Sequence, residues 1–335
     1  MLRARPFLFV GLRFTFCVGA GFAALLSAAG EARAQQATGF AVDRFEPAAP
    51  GSAFLSLESL DYEGHLRPAA GVVSAWAWKP LVVYDGQSQQ VSALVQQQLI
   101  EHVQGAIVLW DRARADLDLP VPLAHTGTTT VVGGQTYAAP EGGAIGDLRL
   151  GVSARLYARR AGAFIGAFGV QLFLPTGATR AFSSDGGVRV WPQLMAAGRR
   201  DRLTWAGRLG VHFRPQHACN CDLSPGSELT AGAGGAWRFV PRFTAGAELY
   251  LASAIAGGPF ASRAGTSLEM MLAGHLAVAP RWNVSLGVAP GLTDGAGTPV
   301  ARIVAGVQYV VEPPPPRVPE PPPAWAPVEP EPVVR

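Results

Sequence analysis

The chain has three cysteines in 335 residues, and one of them, Cys17, falls in a stretch that an export signal would remove. The remaining two cannot frame a disulfide scaffold. Lysine is nearly absent: Lys79 stands alone, so the formal net charge of +3 is carried by arginine. No basic stripe with interleaved aromatics accompanies those arginines, which argues against nucleic acid as a partner. Beyond the N-terminus, no apolar run reaches the roughly 18 to 20 residues of a membrane helix. No G-x-S-x-G, H-E-x-x-H or acidic metal loop occurs, and GGAIGDLRLG and AGAGGAW lack the lysine and spacing of a phosphate loop. His102, His212 and His275 are the histidines that a Ser-His hydrolase would draw on, but a lone strand histidine is more often a polar lumen residue. The expectation is a non-enzyme without a cofactor.

What is present points to β structure. Glycine numbers 40, hydrophobic residues make up 49% and charged residues only 15%. The first 34 residues read as a secretory signal, with Arg3, Arg5 and Arg13 ahead of an apolar centre at Phe14–Ala29 and an Ala32-Arg33-Ala34 cleavage site. Residues 35–64, which include FAVDRFEPAAPGS, precede any long alternating stretch and are expected as a periplasmic lead-in near a barrel mouth. A short strand at Ala53–Glu58 is the alternative. The pair Cys219 and Cys221 in HACNCD reads as a loop disulfide or two free thiols. His217 and Asp222 flank them, yet the second ligand pair of a structural zinc site is missing, so no metal is expected.

Residues 65–311 repeat one motif, about ten residues of period-two alternation followed by a turn signal. In DLRLGVSARLY, Asp147, Arg149, Gly151, Ser153 and Arg155 share one face, while Leu148, Leu150, Val152, Ala154 and Leu156 share the other. The strands run longer than soluble ones, and Trp78, Trp110, Tyr157, Trp237, Phe239 and Trp282 sit near their ends, where interfacial girdles belong. Long polar links, such as 79–98 and 124–143, alternate with short turns, such as Val240–Pro241 and Ala279–Pro280. This is the rhythm of an all-β, antiparallel, up-and-down transmembrane barrel of about 12 strands, within a range of about 10 to 14. An even count places both mature termini at the periplasmic side of the outer membrane, and residues 312–335, rich in proline, form an extended periplasmic tail.

With the apolar face toward outer-membrane lipid, the polar face lines the lumen. It carries Asp116, Asp118, Asp147, Arg149, Arg155, Arg189, Arg208, Glu228, Arg238, Glu248, Glu269, His275 and Arg302. Such charges either pair across a narrow interior and hold the barrel shut or line a solute path. A barrel of about twelve strands is intermediate between filled eight-stranded barrels and open porins.

Several segments also resemble a known family: FAVDRFEPAAPGSAFLSLESLDYEGHLRPAAGVVSAWAWKPLVVY, VLWDRARADLDLPVPL, GDLRLGVSARLY, FGVQLFLPTG and GLTDGAGTPVARIVAGVQY. Over residues 39–311 they are similar to the N-terminal barrel of OmpA-family outer-membrane proteins. That resemblance implies a structural envelope role, with a proline-rich linker leading to a peptidoglycan-binding domain that has no counterpart in these residues. The competing expectation is a small-solute channel or transporter. The proline-rich tail is a candidate contact for periplasmic or peptidoglycan-side proteins.

Overall fold

The computed structural model describes residues 39–84, 90–132, 135–142, 145–159, 162–214, 226–256 and 260–311. The export signal, HACNCD with Cys219 and Cys221, and the proline-rich tail lie outside these residues.

Twelve strands close into one antiparallel barrel. They are β1 (Leu66–Tyr84), β2 (Gln90–Leu109), β3 (Ala113–Thr126), β6 (Leu148–Ala158), β7 (Ile165–Leu174), β8 (Arg189–Arg200), β9 (Leu203–His212), β10 (Glu228–Val240), β11 (Phe243–Ala254), β12 (Thr266–Ala279), β13 (Trp282–Pro290) and β14 (Ala301–Val310). The small hairpin of β4 (Thr130–Val132) and β5 (Gln135–Tyr137) sits in the connection between β3 and β6. Each strand pairs with its sequence neighbour, and β14 closes the ring on β1 from Ala69↔Val310 to Trp78↔Ala301.

Period-two alternation decides the two faces. On β6, Leu150, Val152 and Leu156 are exposed while Arg149 and Ser153 are buried, and on β14 Ile303 and Val307 face out while Arg302, Val304 and Gln308 face in. The outside is therefore an apolar belt. At the short-turn end it is rimmed by exposed Trp110, Tyr157, Trp237, Phe239 and Trp282, as an interfacial girdle requires. The outer face carries one acidic exception on β2: Glu101, opposite Ser74 in the register, accepts the Ser74 hydroxyl at 2.6 Å.

Two sequence expectations change. The link at 79–98 is mostly strand, because β1 and β2 continue past Trp78 through register shifts between Trp78 and Leu81. Lys79, at φ 52°, and Pro80 form that irregularity. A bulge is where a strand tolerates a proline, which has no N–H to give to the ladder. The larger change concerns residues 39–64, which do not stay at the barrel mouth. Nor is there a strand at Ala53–Glu58.

Residues 39–64 run down the lumen. At one end, the Val42 N–H donates to the Phe182 carbonyl, and Phe40, Val42 and Phe182 pack with Leu81, Val83, Leu94 and Val95, where β1 and β2 approach their long connection. At the other end, the Gly64 N–H donates to Asp111 Oδ1 at 2.7 Å in the short β2–β3 turn. The segment thus adds one crossing before β1. Residue 39 lies at the long-connection end and residue 311 at the short-turn end, so an even strand count does not bring these two points to one side.

Candidate functional site

Most of the lumen is occupied by residues 39–64 and by the side chains that hold them. The segment has five carboxylates and one arginine, and the wall answers four of the carboxylates and the arginine in order. Asp43 forms an ion pair with Arg302 at 2.8 Å, Arg44 with Glu228 at 3.1 Å, Glu46 with Arg149 at 3.0 Å, Glu58 with Arg114 at 2.8 Å and Asp61 with Arg67 at 3.0 Å. All five wall groups are buried. A charge in such a place persists only when it is paired and hydrogen-bonded.

The centre of the attachment is Glu248 on β11. Its Oε1 accepts the Leu55 N–H at 2.7 Å, and its Oε2 accepts the Ser56 N–H at 2.8 Å, the Ser56 hydroxyl at 2.7 Å and the Leu57 N–H at 3.0 Å. Three successive backbone N–H groups converging on one carboxylate form an anion nest. Around it, Arg208 donates to the Ser56 carbonyl at 3.0 Å, Arg149 to the Pro47 carbonyl at 2.8 Å and Gln104 to the Ala48 carbonyl at 3.3 Å. Among the described residues, no backbone–backbone hydrogen bond joins residues 43–63 to a barrel strand. Between its two ends, the segment is held to the barrel strands through side chains.

Apolar residues of the segment find seats between these polar contacts. Leu57 lies against Gly232 and Gly234 of β10, where an added Cβ would come within 2.8 and 2.9 Å of its methyl carbons. The glycine-rich run AGAGGAW is therefore the socket for Leu57. Phe54, Leu57, Leu60 and Tyr62 join one buried cluster with β7, β8 and β9 residues, and Phe45 and Leu55 join another with Tyr250 and Met271.

At the long-connection end, the link between β7 and β8, which carries a short 3-10 helix, Thr179–Ala181, packs on the segment through Phe182. Asp185 of this link accepts the Ala41 N–H at 2.8 Å and two bonds from Arg214, at 2.7 and 2.8 Å. Burial alone would push the Asp185 carboxyl up, but Arg214, Arg189 and these hydrogen bonds outweigh it and hold the group well below the usual carboxylate range.

The wall charges expected from the sequence divide into three sets. Arg149, Glu228, Glu248 and Arg302 touch the segment by ion pair or hydrogen bond, as does Arg208. Asp116, Asp118, Asp147, Arg189 and Glu269 pair with other wall groups: Asp116 with Arg114 at 3.9 Å, Asp118 with His102 at 2.9 Å, Asp147 with Arg189 at 3.0 Å and Glu269 with Arg302 at 2.9 Å. Arg155, Arg238 and His275 stand apart, toward the short-turn end; Arg238 donates to the Asp201 carbonyl at 3.0 Å. Sequence reasoning missed Asp43, Arg44, Glu46, Glu58 and Asp61 as lumen groups, and also Arg67, Arg114, Asp185 and Arg214. Their density of charge inside an apolar-rich leader, FAVDRFEPAAPGSAFLSLESLDYEG, was the available signal. His102 and His212 do not sit in a nucleophile–base pair: among the described residues no serine hydroxyl hydrogen-bonds a histidine, and His212 stacks on Trp191 at 5.4 Å.

No family model and no curated protein matches the sequence. Solved structures do match. An outer-membrane channel from Pseudomonas putida F1 superposes with a TM-score of 0.53 at 12% identity, covering 75% of this chain and 98% of that one. The NanC porin follows at a TM-score of 0.46 and 10% identity, covering 72% and 99%, and the KdgM porin at 0.45 and 10%, covering 73% and 99%. At these identities the likeness is one of fold. The closed antiparallel barrel of this chain is the fold it shares with that outer-membrane channel.

Proposed function

We propose that the chain is an outer-membrane channel for small anionic solutes, held shut by its own residues 39–64. The observation that carries this reading is the origin of the partners: four wall arginines, Arg67, Arg114, Arg149 and Arg302, take carboxylates from the segment. Withdrawal of the segment breaks no strand pairing, and it leaves a polar lumen rich in arginine. Rings of arginine favour anions in a pore. The short turns then face the periplasm and the long connections face outward, the arrangement usual for outer-membrane barrels.

The test is conductance of the purified full chain in planar bilayers beside a variant lacking residues 40–62. The expected result is a mostly silent wild type and a variant with frequent current steps and an anion-favouring reversal potential. A heat-modifiable, folded variant without current steps overturns the reading.

A second reading, the OmpA-like structural barrel, is favoured by the depth of the ion-pair network. Arg302 and Glu269 are fully enclosed, as suits a lumen that never empties. On that reading the proline-rich tail, which follows Val311 at the short-turn end, contacts periplasmic or peptidoglycan-side proteins, and deleting it changes envelope integrity without touching conductance.

A further inference from the structure

One part of the lumen is not filled. Between the turn at residues 50–53 and the inner wall of β11–β14, at the short-turn end, lies a cavity of about 240 Å³. Three other spaces along the lumen measure only about 20, 40 and 10 Å³. The register builds its wall. Thr244, His275 and Ser285 fall in one row across β11, β12 and β13, and Gly306 of β14 completes that row. A Cβ at Gly306 would stand 2.6 Å from Ser285 Oγ, so glycine leaves the hydroxyl its room. One step toward the rim, Asn283 lies opposite Gln308, and the Ala277 N–H bonds the Arg242 carbonyl.

The chemistry of this wall differs from the rest of the lumen. Ser285 is 9% exposed, and among the described residues its hydroxyl has no hydrogen-bond partner. Gln308 receives the Gly51 N–H at 3.0 Å. Among the described residues no carboxylate lines the cavity, whereas Arg242 stands exposed beside it. The wall therefore offers hydroxyl, amide and imidazole groups and a guanidinium beside them. Neutral donors and acceptors suit alcohol groups, and a guanidinium suits a carboxylate.

We infer that this vestibule is a binding site for a small hydroxylated carboxylate, with its hydroxyls toward Ser285, His275 and Asn283 and its carboxylate toward Arg242. The space holds several water molecules' worth of volume, the scale of a six-carbon hydroxy acid. The site is part of the wall and the closed lumen, so binding is read without any current and fails separately from the channel reading.

The experiment is isothermal titration calorimetry on the detergent-folded full chain with gluconate, with sorbitol as the uncharged analogue and protonated glucosamine as the cationic one. Gluconate is expected to bind saturably at one site and to outcompete both analogues. Ser285→Val is expected to weaken gluconate about tenfold, and Arg242→Gln to bring it down to the level of sorbitol, the scale of one lost hydrogen bond to a charged or buried group. Asn283→Ala replaces Ser285→Val should the latter lose heat-modifiable migration. The inference is overturned by the absence of saturable gluconate heat, by equal binding of the cationic analogue, or by affinity unchanged in these folded variants.

Discussion

Glu248→Gln changes two atoms' chemistry at the centre of the lumen and little of its shape. In the native chain the carboxylate takes four donors, three from backbone N–H groups of residues 55–57 and one from the Ser56 hydroxyl. A glutamine can keep its oxygen where Oε2 receives three of them. Its amide nitrogen then faces the Leu55 N–H, donor against donor. Hydrogen bonds to a charged group contribute about 1.5–3 kcal/mol and neutral ones about 0.5–1.5 kcal/mol, so three weakened bonds lose about 1 kcal/mol each. The unsatisfied Leu55 donor costs about 1–3 kcal/mol more. Relief of the desolvation borne by a buried carboxylate offsets part of this, leaving a net loss of about 2–4 kcal/mol in the hold on the segment.

If the segment leaves as a unit, that loss multiplies the open population by about 30 to 1,000, since each 1.4 kcal/mol is about a factor of ten. The assay is the open fraction of single barrels in planar bilayers at fixed salt and voltage, with the lumen-segment deletion as the upper reference. A Glu248→Gln protein that is folded and heat-modifiable, yet no more open than wild type while the deletion conducts freely, would refute the reasoning. It would mean that the nest positions the segment without contributing to its retention.

Four further outcomes follow from the same contacts. Arg302→Met strands Glu269 as an unpaired buried carboxylate, removes the partner of the partly exposed Asp43, and is expected to destabilise the barrel by about 3–5 kcal/mol; urea unfolding reads it, and the added change Glu269→Gln should recover part of the loss. Asp185 has a folded pKa below its unfolded one, so its contribution is full above about pH 4 and is lost only as the pH falls further toward the folded value. The stability difference between wild type and Asp185→Asn should therefore stay constant from pH 8 to about pH 5 and shrink only in stronger acid. Glu101→Leu removes an acidic group from the outer face and should stabilise the barrel in lipid by about 1–2 kcal/mol, measured by reversible unfolding in vesicles. In a Cys219→Ser/Cys221→Ser background, an impermeant maleimide should label Val131→Cys, in the β4–β5 hairpin, on intact cells, but Arg202→Cys, in the β8–β9 turn, only after permeabilisation; the reverse pattern would invert the barrel.

The barrel was legible because its physics is local. Alternation places Leu150 and Val152 outside and Arg149 and Ser153 inside whatever the distant partners are, and a turn such as Val240–Pro241 ends a strand by its own chemistry. Twelve strands follow from reading these signals one at a time. The bulge at Lys79 and Pro80 was harder, since a proline signals a break in a strand unless the neighbouring register absorbs it. The lumen segment was not legible as a filler from periodicity, its density of charge being the one local sign. Its contacts join residues far apart in sequence, Leu55 to Glu248 across 193 positions and Gly51 to Gln308 across 257, and no periodicity records them.

The same distances explain why the choice between pairing and pore could not be made from the wall alone. Both alternatives assume that the wall charges meet one another or meet solvent. In a twelve-strand barrel many of them do neither, because side chains on opposite strands do not reach each other and a third element stands between them. Asp43 reaches Arg302 and Glu46 reaches Arg149 from that central position. A filler of this kind could have paired with the wall as an extra strand, which would make it permanent. Instead its backbone bonds go to side chains such as Glu248, Gln308, Arg149 and Arg208. Side-chain attachments can be lost and remade without disturbing the barrel ladder, and that difference, rather than the number of ion pairs, is what makes a closed lumen compatible with a channel.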